Sequence, residues 1–157
     1  MEALNFPSYP LRIKNRENKL LVFDVIRKKY VHLLPEEWVR QHCIHFLLSD
    51  LGYPGGRMLV EREITVAGLH KRVDLAVCDA EGQVRVLVEC KAPGVTITQA
   101  TFDQIARYNI QTNADYLMVT NGLTHFYCQM DHEAGAYHFL KKLPDAAELF
   151  QGNPRKS

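Results

Sequence analysis

Asp74, Glu89 and Lys91 are the residues of this chain whose types and spacing could do chemistry together. They lie on two runs of alternating polarity, residues 71–79 (KRVDLAVCD) and 84–91 (VRVLVECK), with a Gly-containing turn between them. If residues 80–83 form the loop of a hairpin, Asp74 falls directly opposite Glu89. Strand alternation then separates Val73, Leu75 and Val77 from Asp74, and Val84, Val86, Val88 and Cys90 from Glu89 and Lys91. Two carboxylates and an ammonium converge. Like charges facing each other across strands are destabilising unless something neutralises them. Hard oxygen donors of this kind suit Mg²⁺ or Mn²⁺. Such an ion polarises a phosphoryl group and lowers the pKa of water, and a neighbouring lysine can orient that water or take its proton. Gln104 and Tyr108 add a second feature. At i, i+4 they stack on one helix face, where an amide and a phenol can hold phosphate oxygens or a base.

The elements that must position these groups are legible along the chain. Residues 35–51 (PEEWVRQHCIHFLLSDL) predict a helix with Pro35 at its first position, Glu36 and Glu37 at its positive end and Gly52 as its stop. Leu34 would be an N-cap without a side-chain acceptor. Apolar residues surround most of that helix, so it should be well buried. Residues 57–66, 71–79 and 84–91 predict three strands, with turns at Gly68 and Gly82. Residues 98–112 predict a second helix that buries Phe102, Ile105, Ala106 and Ile110 and leaves Gln104 and Tyr108 roughly opposite. Strands at 115–120 and 123–129 flank Asn121-Gly122, the strongest hairpin signal in the chain. An edge strand at 136–140 and a closing helix at 144–150 complete the pattern. Residues 21–31 suggest a short strand or hairpin, and residues 1–20 an irregular basic lead-in. The expected fold class is α/β: one mixed central sheet flanked by helices, as a single domain over 21–157.

Other residues are weaker candidates. Glu37, Gln41 and His45 form the polar line of the first helix and could face the site. Glu61 and Glu63 share a strand face, either exposed or supplying one further carboxylate. Trp38 reads as a packing anchor, and His42 and His45 as the polar edge of an apolar helix.

With 157 residues, 46% hydrophobic and 24% charged, the chain can bury a full core and is not a disordered one. No apolar run is long enough to span a membrane, and residues 1–10 lack the pattern of a secretory signal, so a cytoplasmic protein is expected. Cys43, Cys78, Cys90 and Cys128 show no metal-ligand spacing and read as reduced core residues. A net charge of +1 does not advertise nucleic-acid binding, but residues 1–32 carry seven lysines and arginines against three acids. That basic start serves solubility or contacts phosphates.

The segments PEEWVRQH, KRVDLAV, VLVECKAP, DQIARYN and VTNG resemble the PD-(D/E)xK nuclease superfamily with its QxxxY extension. More narrowly, they resemble the N-terminal nuclease domain of type I restriction endonuclease R subunits, from about residue 21 to 130. The resemblance implies a restriction-endonuclease-like core and a Mg²⁺- or Mn²⁺-dependent deoxyribonuclease. It implies Asp74 and Glu89 as metal ligands, Lys91 as the catalytic lysine, and Gln104 and Tyr108 as groups that position DNA. It also implies an acid from the first helix. Glu37 is the candidate, since Glu36 is placed to pair with Arg40 at i, i+4. DNA and other restriction-modification subunits are the implied partners. The chain carries no P-loop, so ATP use and translocation are not expected of it. Two rivals remain open: a non-cleaving DNA- or partner-binding module of the same fold, and a structural subunit whose carboxylates are incidental.

Overall fold

A computed structural model describes residues 1–66 and 68–151. Its centre is a six-stranded mixed sheet in sequence order: β4 (Met58–Val66), β5 (Leu69–Cys78), β6 (Val84–Cys90), β7 (Tyr116–Thr120), β8 (His125–Asp131) and β9 (Ala136–Leu140). All neighbours are antiparallel except β6 and β7, which are joined through the crossover helix α2 (Gln99–Asn109). Helix α1 (Pro35–His45) and the short α3 (Ala146–Phe150) cover one face. Val39, Cys43, Ile44, Leu47 and Leu149 pack there on Leu75, Val77, Val86 and Val88. Helix α2 covers the other, where Phe102 and Ala106 meet Ala76, Leu87, Leu117 and Val119. The expected mixed sheet between helices is therefore present, and all four cysteines are free and buried. Among the described residues, no helix is long and apolar enough to cross a membrane.

The helix signals work as expected. Leu34 provides no side-chain cap, and Pro35 opens α1. The helical path continues through a π-turn at Phe46–Asp50, and Gly52 follows at φ +73°. Thr98 caps α2 by accepting from the Thr101 N–H. Asp145 and Glu148 close a capping box on α3.

Two local expectations fail. The lead-in is not irregular throughout: β1 (Ile13–Arg16), β2 (Lys19–Asp24) and β3 (Lys29–His32) form a separate antiparallel sheet. Glu17 and Asn18 both take positive φ in the tight β1–β2 turn, a conformation that Glu seldom signals. Around Asn121-Gly122 the loop has four residues, not two, because Asn121 Oδ1 accepts from the Leu123 and Thr124 N–H groups and opens the turn. Gly122 is needed there. Its φ is +87°, and an added Cβ would lie 2.8 Å from Leu4 Cδ2 and 3.1 Å from Val39 Cγ2. Gly122→Ala should cost about 1–3 kcal/mol, read from the midpoint of urea unfolding.

The small sheet is fastened to α1 through a fully buried Asp24. Its Oδ1 accepts from the Ile26 and Arg27 N–H groups, and its Oδ2 from Arg27 Nε and Gln41 Nε2. Burial pushes the carboxyl pKa up, but these bonds and the Arg27 charge outweigh it and hold the value below the ordinary one. A depressed folded-state pKa gives stability that is present above the ordinary carboxylate range and lost as pH falls through the depressed value. Asp24→Asn should therefore melt lower than wild type at neutral pH, and its melting temperature should fall less on acidification. Parallel slopes in thermal melts across the acid range would count against this account.

Candidate active site

The β5–β6 hairpin follows the expected register: Leu75 pairs with Val88, Ala76 with Leu87 and Val77 with Val86, before a bulge at Cys78. Beyond Leu75 the ladder opens. The Cys90 N–H donates to Asp74 Oδ2 at 2.7 Å instead of to backbone. On the other side, Val60 pairs with Leu75 and Arg62 with Val73, which brackets Glu61 opposite Asp74. Glu61 has φ +51°, a strained value for a non-glycine. Val73 packs on the α2 face while Leu75 and Val77 pack on the α1 face, so strict alternation breaks at this row. The three strands part where the carboxylates stand, and Asp74 turns towards α1.

Arg40 of α1 meets it there. Its Nη2 lies 3.0 Å from Asp74 Oδ1, 2.6 Å from Glu61 Oε1 and 2.9 Å from Glu36 Oε2; its Nη1 lies 2.6 Å from Glu37 Oε1. The arginine side chain is only 4% exposed. Burial alone would lower its pKa, but Glu37 and Asp74 outweigh that and hold the guanidinium charged. Glu36, Glu61 and Asp74 each place an oxygen within 4.8 Å of the others around this one group. Asp74 responds differently. Burial raises its pKa, and the like charge of Glu89 adds to the rise; the Cys90 N–H and Arg40 do not fully offset them.

Glu37 is not brought to the Asp74–Glu89 pair. Its Oε2 accepts from Arg27 at 2.9 Å and from Gln41 at 3.0 Å, and its Oε1 takes Arg40. The first-helix acid that reaches the Asp74 cluster is Glu36, which also makes the expected i, i+4 pair with Arg40. The polar line of α1 faces the small sheet and the segment before it, since Gln41 bonds Asp24 and His45 stacks on Tyr9 at 5.6 Å. His42 is held by the Trp38 carbonyl and ring. Burial lowers the pKa of both histidines. Glu63 is exposed, whereas Glu61 joins the site.

The α2 side is arranged otherwise. Lys91 Nζ lies 3.4 Å from Glu89 Oε2, and both side chains are about one-third open to solvent. Beyond them an open cleft of about 240 Å³ is lined by Lys71, Glu89, Gln104, Ile105, Tyr108 and Asn109. Gln104 and Tyr108 project from the outer face of α2, as their spacing predicts. Lys71 is the functional candidate that sequence reasoning missed. It sits three residues before Asp74, is 8% exposed, and places Nζ 4.2 Å from the centroid of the Tyr108 ring. A cavity of about 530 Å³ lies beside the β5–β6 turn and has a single acid, Glu81, in its wall.

The donor set fits a hard divalent cation. Asp74 and Glu89 are oxygen donors that line one narrow hollow together, and among the described residues each Asp74 oxygen accepts a single hydrogen bond, which leaves it a lone pair.

No curated protein shows a significant match to the chain. The family described as Type I restriction enzyme R protein N terminus (HSDR_N) matches residues 35–144. That span runs from Pro35, where α1 begins, to Pro144, just before α3, and takes in the whole central sheet. The six-stranded mixed sheet between helices is the architecture of a restriction-endonuclease-like core. The chain belongs to the family of type I restriction enzyme R protein N-terminal domains, a restriction-nuclease family.

Proposed function

We propose that this domain is a Mg²⁺- or Mn²⁺-dependent DNA endonuclease in which Asp74 and Glu89 hold the cation. The observation that carries this reading is the opening of the β4–β5–β6 row at Asp74. It places a half-buried carboxylate beside Glu89 in a chain of this family, with Lys91 paired to that Glu89. When bound, the ion would polarise the phosphoryl group and lower the pKa of water. The chain does the rest. The Cys90 N–H and Arg40 fix the Asp74 carboxylate. Lys91, beside Glu89, orients the attacking water. Gln104 and Tyr108 hold the DNA strand over the cleft. The water oxygen bonds phosphorus, one ester P–O bond breaks, and the leaving oxygen ends as a hydroxyl.

One observation favours a non-cleaving DNA-binding module instead. Arg40 already compensates Glu36, Glu61 and Asp74 without any metal ion. Plasmid nicking in Mg²⁺ or Mn²⁺ separates the two readings. Cleavage should fall at least about a hundredfold in Glu89→Ala. Lys91→Ala should also lose cleavage while binding duplex DNA in Ca²⁺ almost as wild type does, because a contribution made only in the transition state appears in rate and not in affinity. Wild-type chain that binds DNA and leaves plasmid intact would establish the binding module.

The small sheet supplies a basic surface for that DNA. Arg16 and Lys19 face each other directly across the β1–β2 turn, a like-charge pair that an anion would relieve. Arg12 lies over Phe23 and Lys14 over Tyr30, at 4.4 and 3.8 Å from the ring centroids. Deleting residues 1–20 is a poor test, because Leu4 approaches Gly122 and Phe6 stacks on His42 and His125. Replacing Arg16, Lys19 and Lys29 by serine should instead lower the slope of log affinity against log salt, by up to about 0.9 for each phosphate no longer neutralised. An unchanged slope means that the DNA phosphates lie against other residues.

A further inference from the structure

Lys71 is the most buried lysine near the cleft, and no hydrogen bond or close ion pair holds its Nζ among the described residues. The Tyr108 ring lies against it, and Glu89 and Asp74 attract its charge from further off. Burial disfavours the ammonium, and those two carboxylates do not make up for it. A bare ring face compensates it only in part. Lys71 lines a narrow hollow with Asp74 and Glu89, and it also lines the open cleft with Glu89, Gln104 and Tyr108, where its three donors can meet a ligand. That cleft holds about 240 Å³, against roughly 30 Å³ for a water molecule, so a phosphate group fits. Gln104 offers a further amide donor on the same side.

We propose that Lys71 is a phosphate-binding residue, whose ammonium takes a non-bridging oxygen of a DNA backbone phosphate in this cleft, and that Tyr108 is a positioning residue that acts by holding that ammonium. This rests on the nuclease reading for the sign of the charge. Glu89 alone would repel an anion, and the cation assigned to Asp74 and Glu89 reverses that. It changes the part played by Tyr108: the ring face does the work through Lys71, and the hydroxyl is secondary.

The test is binding of a short fluorescein-labelled duplex in Ca²⁺ over a range of salt, with cleavage in Mg²⁺ measured alongside. Lys71→Met keeps the aliphatic stem and removes the charge. It should bind several-fold more weakly at low salt and lower the slope of log affinity against log salt by about 0.9, the effect of leaving one phosphate without its cation. Lys71→Arg should recover the slope. Cleavage by Lys71→Met should fall on the order of a hundredfold. Tyr108→Leu should weaken affinity and rate, and Tyr108→Phe, which restores the ring without the hydroxyl, should rescue most of that deficit. A wild-type slope in Lys71→Met overturns the proposal, as does a Tyr108→Phe variant as damaged as Tyr108→Leu. Should Met unfold the chain, Lys71→Gln is read by the same slope. If wild type fails to cut but Lys71→Met still shows the lower slope, the nuclease reading falls and the phosphate site stands. A wild type that does not bind the duplex overturns both.

Discussion

Arg40 leaves α1 at the point where β4 and β5 part, and its guanidinium is shared by Glu36, Glu37, Glu61 and Asp74. The contacts are unequal. Glu36 is about half exposed and contributes at most about 1 kcal/mol. Glu37 and Asp74 are largely buried, and for such pairs removing one partner costs on the order of 3–5 kcal/mol, because a charge is left stranded. Through Glu37 the network runs on to Arg27, Gln41 and Asp24, and so to the turn between β2 and β3. One cation thus ties the small sheet, the first helix and the strand row of the site into a single electrostatic unit. Its Nε has no partner among the described residues. Two Nη corners satisfy four carboxylates, and the third corner is left over.

Much of this was legible in the sequence, and for definite reasons. The register of the β5–β6 hairpin up to Leu75 and Val88 could be read from the alternation of the two runs and the loop of residues 80–83, since one buried face pins a register. The limits of the first helix followed from Pro35 and Gly52. Two of the failures share a cause. Glu17 and Glu61 adopt positive φ against the preference of their side chain, and nothing in residue type announces that. The first hid a hairpin. The second hid the break in alternation that turns Asp74 to α1 and recruits Glu61. Lys71 was passed over because a Lys-Arg pair at a strand start reads as solvated surface. Arg72 is indeed exposed, while Lys71 lies beneath Tyr108. The burial of Lys71 depends on a residue 37 positions further along the chain, on a different element, and no local pattern carries that information.

The two faces of the site therefore differ in what they can admit. On the α1 side, guanidinium nitrogens stand within 3.0 Å of four carboxylates, and the negative charge is met by groups the fold itself supplies. On the α2 side, Glu89 is a quarter exposed, Lys91 lies 3.4 Å away, and Lys71 has no acceptor among the described residues. In the proposed mechanism a cation shared by Asp74 and Glu89 would enter from this second side, since Arg40 occupies the first. The DNA strand of that proposal would enter the same way, past Gln104 and Tyr108. Arg40 then does for Asp74 what the Cys90 N–H does from the other direction: each fixes one oxygen. The carboxylate is held through both oxygens and still keeps part of its surface open to solvent.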